Sequence, residues 1–170
     1  MKVLGIAGWS GSGKTTLVLK LIPALLQRGV AVSTVKHAHH NFDVDKPGKD
    51  SWEHRQAGAR EVLVASGRRW ALMRELREEA EPPLTELLGR LAPVDLVLVE
   101  GYKREPHPKL VVHRAAAAGP PLWPGDPDTV AVACDSETAE RVRADGLPAL
   151  NLDDPDAIAD FIIDRLELRL

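Results

Sequence analysis

The stretch that decides the fold is Gly8-Trp9-Ser10-Gly11-Ser12-Gly13-Lys14-Thr15, close to the start of the 170-residue chain. It matches the pattern G-x-x-x-x-G-K-[ST], a loop that binds phosphate groups, at every fixed position. An apolar run at residues 3–7 precedes it, and an apolar pattern of helical spacing at 15–28 follows it. This strand–loop–helix context is the one in which such a loop works, because the helix N-terminus adds its positive dipole to the backbone N–H groups.

The pattern also predicts which residues contact the phosphates. Lys14 is expected to reach the terminal phosphates and the Thr15 hydroxyl to ligate Mg²⁺, while Thr16 contacts the α-phosphate. The candidate phosphate-binding residues are Gly8, Ser10, Gly11, Ser12, Gly13, Lys14, Thr15 and Thr16. The alternative is a glycine-rich turn that binds nothing.

A magnesium site needs a second anchor, usually an acid at the end of a neighbouring apolar strand. The run LVLVEG at residues 96–101 offers Glu100, and Gly101 permits a tight turn beside the phosphates. Aspartate is more usual at this position, so Glu100 either ligates Mg²⁺ or holds one of its water molecules. The alternative is that Glu100 caps the loop that follows.

Outward from these motifs, apolar strands alternate with amphipathic helices along the chain. This alternation predicts an α/β fold of the phosphate-loop NTPase type, with a doubly wound, mostly parallel sheet and helices on both faces. Residues 61–66 and 70–74 read instead as a hairpin, with its turn at 67–69. The length fits a single nucleotide-binding domain over residues 1–170.

Composition excludes several classes of protein. Hydrophobic residues make up 44% of the chain, which is too much for a disordered protein. The net charge of −3 argues against a general nucleic-acid binder, and no apolar run approaches the roughly 18 residues of a membrane span. The single cysteine, Cys134, excludes an intramolecular disulfide, so we expect a cytoplasmic protein.

A polar tract, KHAHHNFDVDKPGKDS at residues 36–51, follows the second predicted strand. A loop at this place lies at the carboxyl ends of the strands, where ligands bind. It is a switch-like loop that senses the terminal phosphate or a phosphorylated partner, a zinc site built on His37 and His39, or an ordinary polar loop. Few apolar residues anchor residues 37–50, so we expect them to be mobile until nucleotide or a partner orders them.

Two smaller patterns lie in or near these loops. Asp50 followed by Glu53 is typical of a capping box, which predicts a short helix to about Ala57. The segment YKREPHPKL directly follows the predicted magnesium anchor and is either a solvated loop or a source of positive charge beside the phosphates. Its cationic residues are Lys103, Arg104, His107 and Lys109.

Four stretches together are characteristic: GWSGSGKTT, KHAHHNFDVDKPGKDS, VASGRRWALM and LVEGYKREPHPKL. Their combination resembles the MobB family of molybdopterin-guanine dinucleotide biosynthesis adaptor proteins. The resemblance is dense over residues 3–114 and weak over 115–170. The first stretch is shared with many phosphate-loop proteins, whereas the other three are specific to this family.

The resemblance implies a GTP-binding adaptor with slow hydrolysis that assists the attachment of GMP to molybdopterin. It implies a homodimer whose partners are the molybdenum cofactor guanylyltransferase and molybdopterin itself. By motif, Gly8 to Thr16 would hold GTP, and Thr15 and Glu100 would serve Mg²⁺. The candidate catalytic residues are Lys14, Glu100 and, from the histidine- and aspartate-rich loop, Asp50.

The chain departs from better-known GTPases in two ways. The guanine-reading motif N-K-x-D is absent; Asp135, which follows the apolar run VAVAC, is placed to accept hydrogen bonds from guanine, or else it caps the next helix. Position 9 is tryptophan, so a lysine reaching across a dimer from this position is not supported. Alternative functions are a phosphate-loop kinase for small molecules and a nucleotide-binding scaffold that does not hydrolyse its nucleotide.

Overall fold

A computed structural model describes residues 1–38 and 42–168. His39 and His40 of the polar tract lie outside the described residues. The chain divides into two compact units, one formed by Met1–His37 with Leu87–Leu170 and the other by Ala38–Glu86. The prediction of a single domain stays a prediction, because compactness does not measure whether the units fold independently.

Strands and helices follow the predicted order. They are β1 (Lys2–Ala7), α1 (Lys14–Gln27), β2 (Val32–Lys36), α2 (Asp50–Gln56), β3 (Glu61–Ala65), β4 (Trp70–Arg74), α3 (Leu84–Leu88), β5 (Leu96–Glu100), β6 (Lys109–His113), β7 (Thr129–Cys134), α4 (Ser136–Ala144), β8 (Ala149–Asn151) and α5 (Pro155–Leu166). None of the helices in the described ranges is long and apolar enough to cross a membrane.

The first unit contains a six-stranded parallel sheet in the order β2-β5-β1-β6-β7-β8. Successive residues of a strand point to opposite faces, and the core is divided accordingly. Leu110 and Val112 of β6 join α1 and α5 in one apolar cluster, whereas Val111 joins Trp123 and α4 in the other. The predicted α/β fold, with helices on both faces of a parallel sheet, is confirmed.

An unusually short connection joins β5 to β6, with β1 lying between them. Parallel strands usually need a crossover of a dozen or more residues, but here residues 101–108 suffice. The register explains this, because Val99 and Lys109 both pair with Gly5 of β1. The connection therefore only moves sideways across one strand, and it stays beside the carboxyl end of β1, where the phosphate loop begins.

The second unit contains α2 and the β3–β4 hairpin, whose turn is closed by a hydrogen bond from Ser66 N to Arg69 O. The predicted hairpin is confirmed. The predicted capping box is wrong, since Lys49 is the N-cap residue of α2 and provides no side-chain hydrogen bond. Asp50 is instead the first helical residue, where its negative charge interacts favourably with the positive end of the helix dipole.

Candidate functional site

The phosphate loop, residues 8–15, has glycine at positions where its backbone favours this residue, Gly8 and Gly13 among them. A Cβ at Gly8 would lie 2.6 Å from both Ser12 Oγ and the carbonyl oxygen of Val112. Gly13, the N-cap residue of α1, has a φ of 100°, in the left-handed region that favours glycine. The loop thus turns sharply into the helix, as a phosphate cradle requires.

The hydroxyl groups of this loop differ in exposure. Ser12 is buried, and its Oγ has no hydrogen-bond partner among the described residues. Ser10, Thr15 and Thr16 are exposed, as is Gly11, with a φ of 78°. The structure therefore leaves the outer side of the loop open to a ligand.

Lys14 folds back over the phosphate loop. Its Nζ donates a hydrogen bond to the carbonyl oxygen of Trp9 at 2.8 Å. Burial lowers the pKa of Lys14 below its ordinary value; the carboxylate of Glu100 opposes this, and the ammonium groups of Lys103 and Lys36 lower the pKa further. An anion bound here would relieve the repulsion between these cations.

Thr15 and Glu100, the two predicted magnesium residues, are brought together. The Thr15 hydroxyl donates to Glu100 Oε1 at 3.0 Å, and Lys36 Nζ lies 3.5 Å from Oε2. The strand register places Glu100 at this end of the sheet, because it pairs with Ile6 of β1 on one side and with Lys36 of β2 on the other. The Glu100 side chain keeps only 16% of its surface exposed, so its carboxylate is held in place.

These two oxygens suit Mg²⁺. Adjacent ligands of an octahedral ion at 2.0–2.1 Å are separated by about 2.9 Å, close to the separation observed between Thr15 Oγ1 and Glu100 Oε1. The same separation suits a carboxylate that holds a metal-bound water. Within residues 1–38 and 42–168, no group of three or more His, Cys, Asp or Glu could hold a metal ion by itself. The zinc hypothesis gains no support from these residues, whereas Mg²⁺ would take its further ligands from phosphate and water.

The turn after Glu100 is tightly packed. Gly101 has a φ of 103°, and a Cβ at this residue would lie 2.8 Å from His37 Cβ. His37 N donates to Glu100 O at 2.9 Å, and the His37 ring lies 4.7 Å from the Tyr102 ring. His37, the described histidine of the polar tract, therefore packs against the turn that follows Glu100.

Trp9 is a residue whose role was not apparent from the sequence. Its Nε1 donates to the carbonyl oxygen of Pro120 at 2.6 Å, and its ring lies so close to Gly119 that a Cβ there would be 2.8 Å away. Lys103 Nζ lies over the same ring, 4.2 Å from its centroid. Trp9 thus ties the phosphate loop to two other loops, a link visible only after folding.

The segment 102–110 divides between surface and interior, and the prediction that all its cations lie beside the phosphates is wrong. The Lys109 side chain is 3% exposed and pairs with Asp126 at 3.3 Å and with Asp128 at 3.4 Å. His107 packs over Gly5, and burial, followed by the charge of Lys109, lowers its pKa. Lys103 is the cation of this segment that contacts the phosphate loop.

Asp135 is the N-cap residue of α4. Its Oδ1 accepts hydrogen bonds from Thr138 N at 3.1 Å and Thr138 Oγ1 at 2.6 Å, and Oδ2 accepts from Ala115 N at 2.8 Å. Burial works to raise the pKa of Asp135, but these hydrogen bonds outweigh it and hold the pKa below its ordinary value. The capping alternative is observed, and the guanine-reading role stays a prediction.

The aspartates of the polar tract lie in the second unit, where Asp43 and Asp45 form ion pairs with Arg55. Arg55 donates to both oxygens of Asp43 at 2.8 Å and to Glu75 at 2.7 Å. Asp45 accepts from Ser51 Oγ at 3.0 Å. Asp50 is exposed at the start of α2, and its catalytic role stays a prediction.

Comparisons with known proteins agree with this architecture. Residues 3–135 match the family model of MobB, molybdopterin guanine dinucleotide synthesis protein B. The chain is 44% identical over 168 residues to the molybdopterin-guanine dinucleotide biosynthesis adapter protein of Escherichia coli (strain K12), covering 97% of this chain and 93% of that protein. It is 50% identical over 119 residues to the protein of the same name from Haemophilus influenzae, covering 69% of this chain and 66% of that protein.

Solved structures show the same fold. The crystal structure of molybdopterin-guanine biosynthesis protein B superposes with a TM-score of 0.74 at 32% identity, covering 97% of this chain and 99% of that one. A MobB homologue from Bacillus stearothermophilus gives a TM-score of 0.69 at 28% identity, covering 99% of this chain and all of that one. By sequence and by structure, the chain belongs to the MobB family.

Proposed function

We propose that this protein is a GTP-binding adapter that assists the attachment of GMP to molybdopterin. Family membership and the relatives named as adapter proteins support a role in molybdopterin guanine dinucleotide biosynthesis. GTP and Mg²⁺ as its ligands, and the molybdenum cofactor guanylyltransferase and molybdopterin as its partners, are parts of the proposal. Its cysteine, Cys134, is a buried free thiol, which suits the reducing cytoplasm in which we expect it to act.

The observation that carries the proposal is the hydrogen bond from Thr15 Oγ1 to Glu100 Oε1 at 3.0 Å. It joins the end of the phosphate loop to the end of β5, where a nucleotide-bound ion is held in proteins of this kind. Thr15 and Glu100 would hold Mg²⁺, which would supply positive charge to the phosphates. The backbone N–H groups of the loop would hold the phosphates, and Lys14 would exchange the carbonyl of Trp9 for a phosphate oxygen.

The arrangement favours binding over rapid turnover. Glu100 accepts from Thr15 and pairs with Lys36, so its carboxylate is engaged in holding the ion site. Hydrolysis would need a general base that reaches the attacking water. In the described part of the first unit, no carboxylate other than that of Glu100 forms a hydrogen bond with Thr15 or Lys14. We therefore propose a slow GTPase at most, in which binding is the principal event.

The proposal is tested by titrating the protein with GTP and with ATP, in the presence and absence of Mg²⁺. We expect tight, Mg²⁺-dependent binding of GTP, and a severe loss of affinity in Lys14→Ala. Lys20→Ala, which removes an exposed lysine from the outer side of α1, is the matched control and should bind as the wild type does. Failure of the wild-type protein to bind GTP would refute the proposal.

Turnover is a separate measurement. Phosphate release should be slow for the protein alone, and adding the guanylyltransferase should change the rate or retain the protein in a complex. A complex without any phosphate release would favour the scaffold alternative. Rapid transfer of phosphate to a small molecule would favour the kinase alternative.

The homodimer in the proposal is supported by the β3–β4 hairpin. Leu63 and Leu72 pair across the two strands on one face, and the Trp70 side chain lies on the same face. These three residues are 61%, 43% and 67% exposed. A two-stranded sheet with such a face and free edges is rarely stable alone in water, and a second copy would cover it.

The oligomeric state is measured by analytical ultracentrifugation. Leu63→Lys should convert a dimer to a monomer, whereas Leu26→Lys, at a leucine on α1 that is 55% exposed, should leave the dimer intact. A wild-type monomer would remove the homodimer from the proposal.

A further inference from the structure

Two lysines rest on the same residue of the phosphate loop. Lys14 Nζ donates to the carbonyl oxygen of Trp9 at 2.8 Å, and Lys103 Nζ lies 4.2 Å from the centroid of the Trp9 ring. Lys14 is the lysine that the phosphate-loop pattern assigns to phosphate, whereas Lys103 lies outside that pattern, in a segment whose positive charge had two possible interpretations. Because both lysines contact Trp9, both ammonium groups lie beside the phosphate loop.

The position of Lys103 along the chain indicates which phosphate is within its reach. It is the third residue after Glu100, the acid that accepts from the Thr15 hydroxyl. Thr15 and Glu100 would hold an ion that neutralises the charge of the terminal phosphates, so the turn after Glu100 would begin near the terminal phosphate of the nucleotide. Gly101, with a φ of 103°, redirects the chain there at once.

Both ends of this connection are held by contacts, which limits the positions that Lys103 can take. His37 packs against Gly101, and at the other end Lys109 is buried with Asp126 and Asp128. Between these ends, Lys103 contacts the phosphate loop through the ring of Trp9. The mutual repulsion of Lys14, Lys103 and Lys36 around the single carboxylate of Glu100 favours the arrival of a further anion.

We propose that Lys103 is a second phosphate-binding lysine, which leaves the Trp9 ring to pair with the terminal phosphate of the bound nucleoside triphosphate. A cation over an aromatic ring at a partly exposed site is weakly held, whereas a hydrogen bond between an ammonium group and phosphate is charge-assisted and stronger. Lys103 thereby distinguishes a triphosphate from a diphosphate, since the group that it pairs with is absent from GDP. This inference rests on the proposed function, because it requires that the phosphate loop binds a nucleotide.

The test compares affinities for a non-hydrolysable GTP analogue and for GDP, both with Mg²⁺, in the wild type and in Lys103→Gln. Loss of one charge-assisted hydrogen bond should weaken binding of the analogue by about tenfold or more, and binding of GDP by less than about twofold. Arg104→Gln is the matched control, since it removes the same charge from the neighbouring, exposed residue, and both affinities should stay close to those of the wild type. Thermal unfolding without nucleotide verifies that both variants are folded.

The outcomes separate this inference from the proposed function. Equal weakening of analogue and GDP in Lys103→Gln, or no weakening of either, would overturn the assignment to the terminal phosphate while GTP binding by the wild type stands. A similar loss in Arg104→Gln would also overturn it, since general positive charge would then explain the effect. Failure of the wild type to bind any nucleoside triphosphate would overturn both.

Discussion

The buried ion cluster at the start of β6 leads to an asymmetric prediction about stability. Lys109 is 3% exposed in its side chain, whereas its partners Asp126 and Asp128 keep 25% and 36% of theirs in water. Removing the lysine leaves two carboxylates that water can still solvate. Removing the carboxylate charges leaves an ammonium group that water cannot reach. Removing the lysine and removing the two carboxylate charges delete the same ion pairs. If the ion pairs alone mattered, both changes would lower the free energy of unfolding by the same amount.

Burial decides the magnitudes. Lys109→Met keeps the length of the buried stem and should change the free energy of unfolding by about 1 kcal/mol or less, because the two carboxylates that lose their partner stay in contact with water. The double variant Asp126→Asn/Asp128→Asn should lose about 3 kcal/mol, since it strands a buried charge.

Urea-induced unfolding of the three proteins, followed by far-ultraviolet circular dichroism, measures these free energies. Asparagine keeps an oxygen for the hydrogen bond that Asp128 N donates to residue 126, so the double variant changes charge with little change in shape. A triple variant that combines both sets of changes should recover most of the loss, because it no longer holds a buried charge. Equal destabilisation by Lys109→Met and by the double variant would refute the reasoning from burial.

Three other predictions concern the site and its surroundings. Glu100→Gln should weaken Mg²⁺-dependent binding of GTP more than Mg²⁺-free binding in calorimetric titrations, and equal weakening would indicate a structural role. Asp135→Asn keeps an oxygen to cap α4 but replaces a hydrogen-bond acceptor of the carboxylate with an amide donor. If Asp135 reads guanine, this change should shift the nucleotide preference from GTP towards xanthosine triphosphate. An unchanged preference would leave Asp135 as a helix cap. Burial lowers the pKa of His107, so the unfolded chain binds its proton more readily, and stability present above about pH 6.5 should be lost as the pH falls. His107→Leu should reduce this loss in denaturant titrations at several pH values, whereas His54→Leu, at an exposed histidine, should not.

The parts of the candidate site that could be predicted from the sequence depend on residues that lie close together along the chain. A phosphate loop requires glycines where the backbone turns, a lysine and a hydroxyl at the start of the helix, and an apolar strand before it. All of these lie within about twenty residues, so the pattern alone predicts the local structure. The proximity of Glu100 to Thr15 could be predicted because the acid ends an apolar strand, as expected for a residue beside the phosphate loop, whereas its role toward Mg²⁺ stays a prediction.

The parts that were missed depend on partners distant in the sequence. Nothing in YKREPHPKL shows that Lys109 is buried, because the carboxylates that make its burial tolerable come from Asp126 and Asp128 in the next connection. The capping box failed for a local reason, since the helix begins one residue earlier than the pattern suggests and Lys49 occupies the cap. Helix boundaries of this kind are decided by tertiary context as much as by the capping residue.

The short β5–β6 connection is contacted by Trp9 of the phosphate loop. A chain that crosses one strand in residues 101–108 has no helix to bury its own polar groups, so it must be held by its two ends and by contacts with neighbouring loops. The ends are fixed at Glu100 and Lys109, and Trp9 provides the lateral contact through Lys103. A small residue at position 9 would still match the phosphate-loop pattern, but it would leave Lys103 without the aromatic ring over which its ammonium group lies.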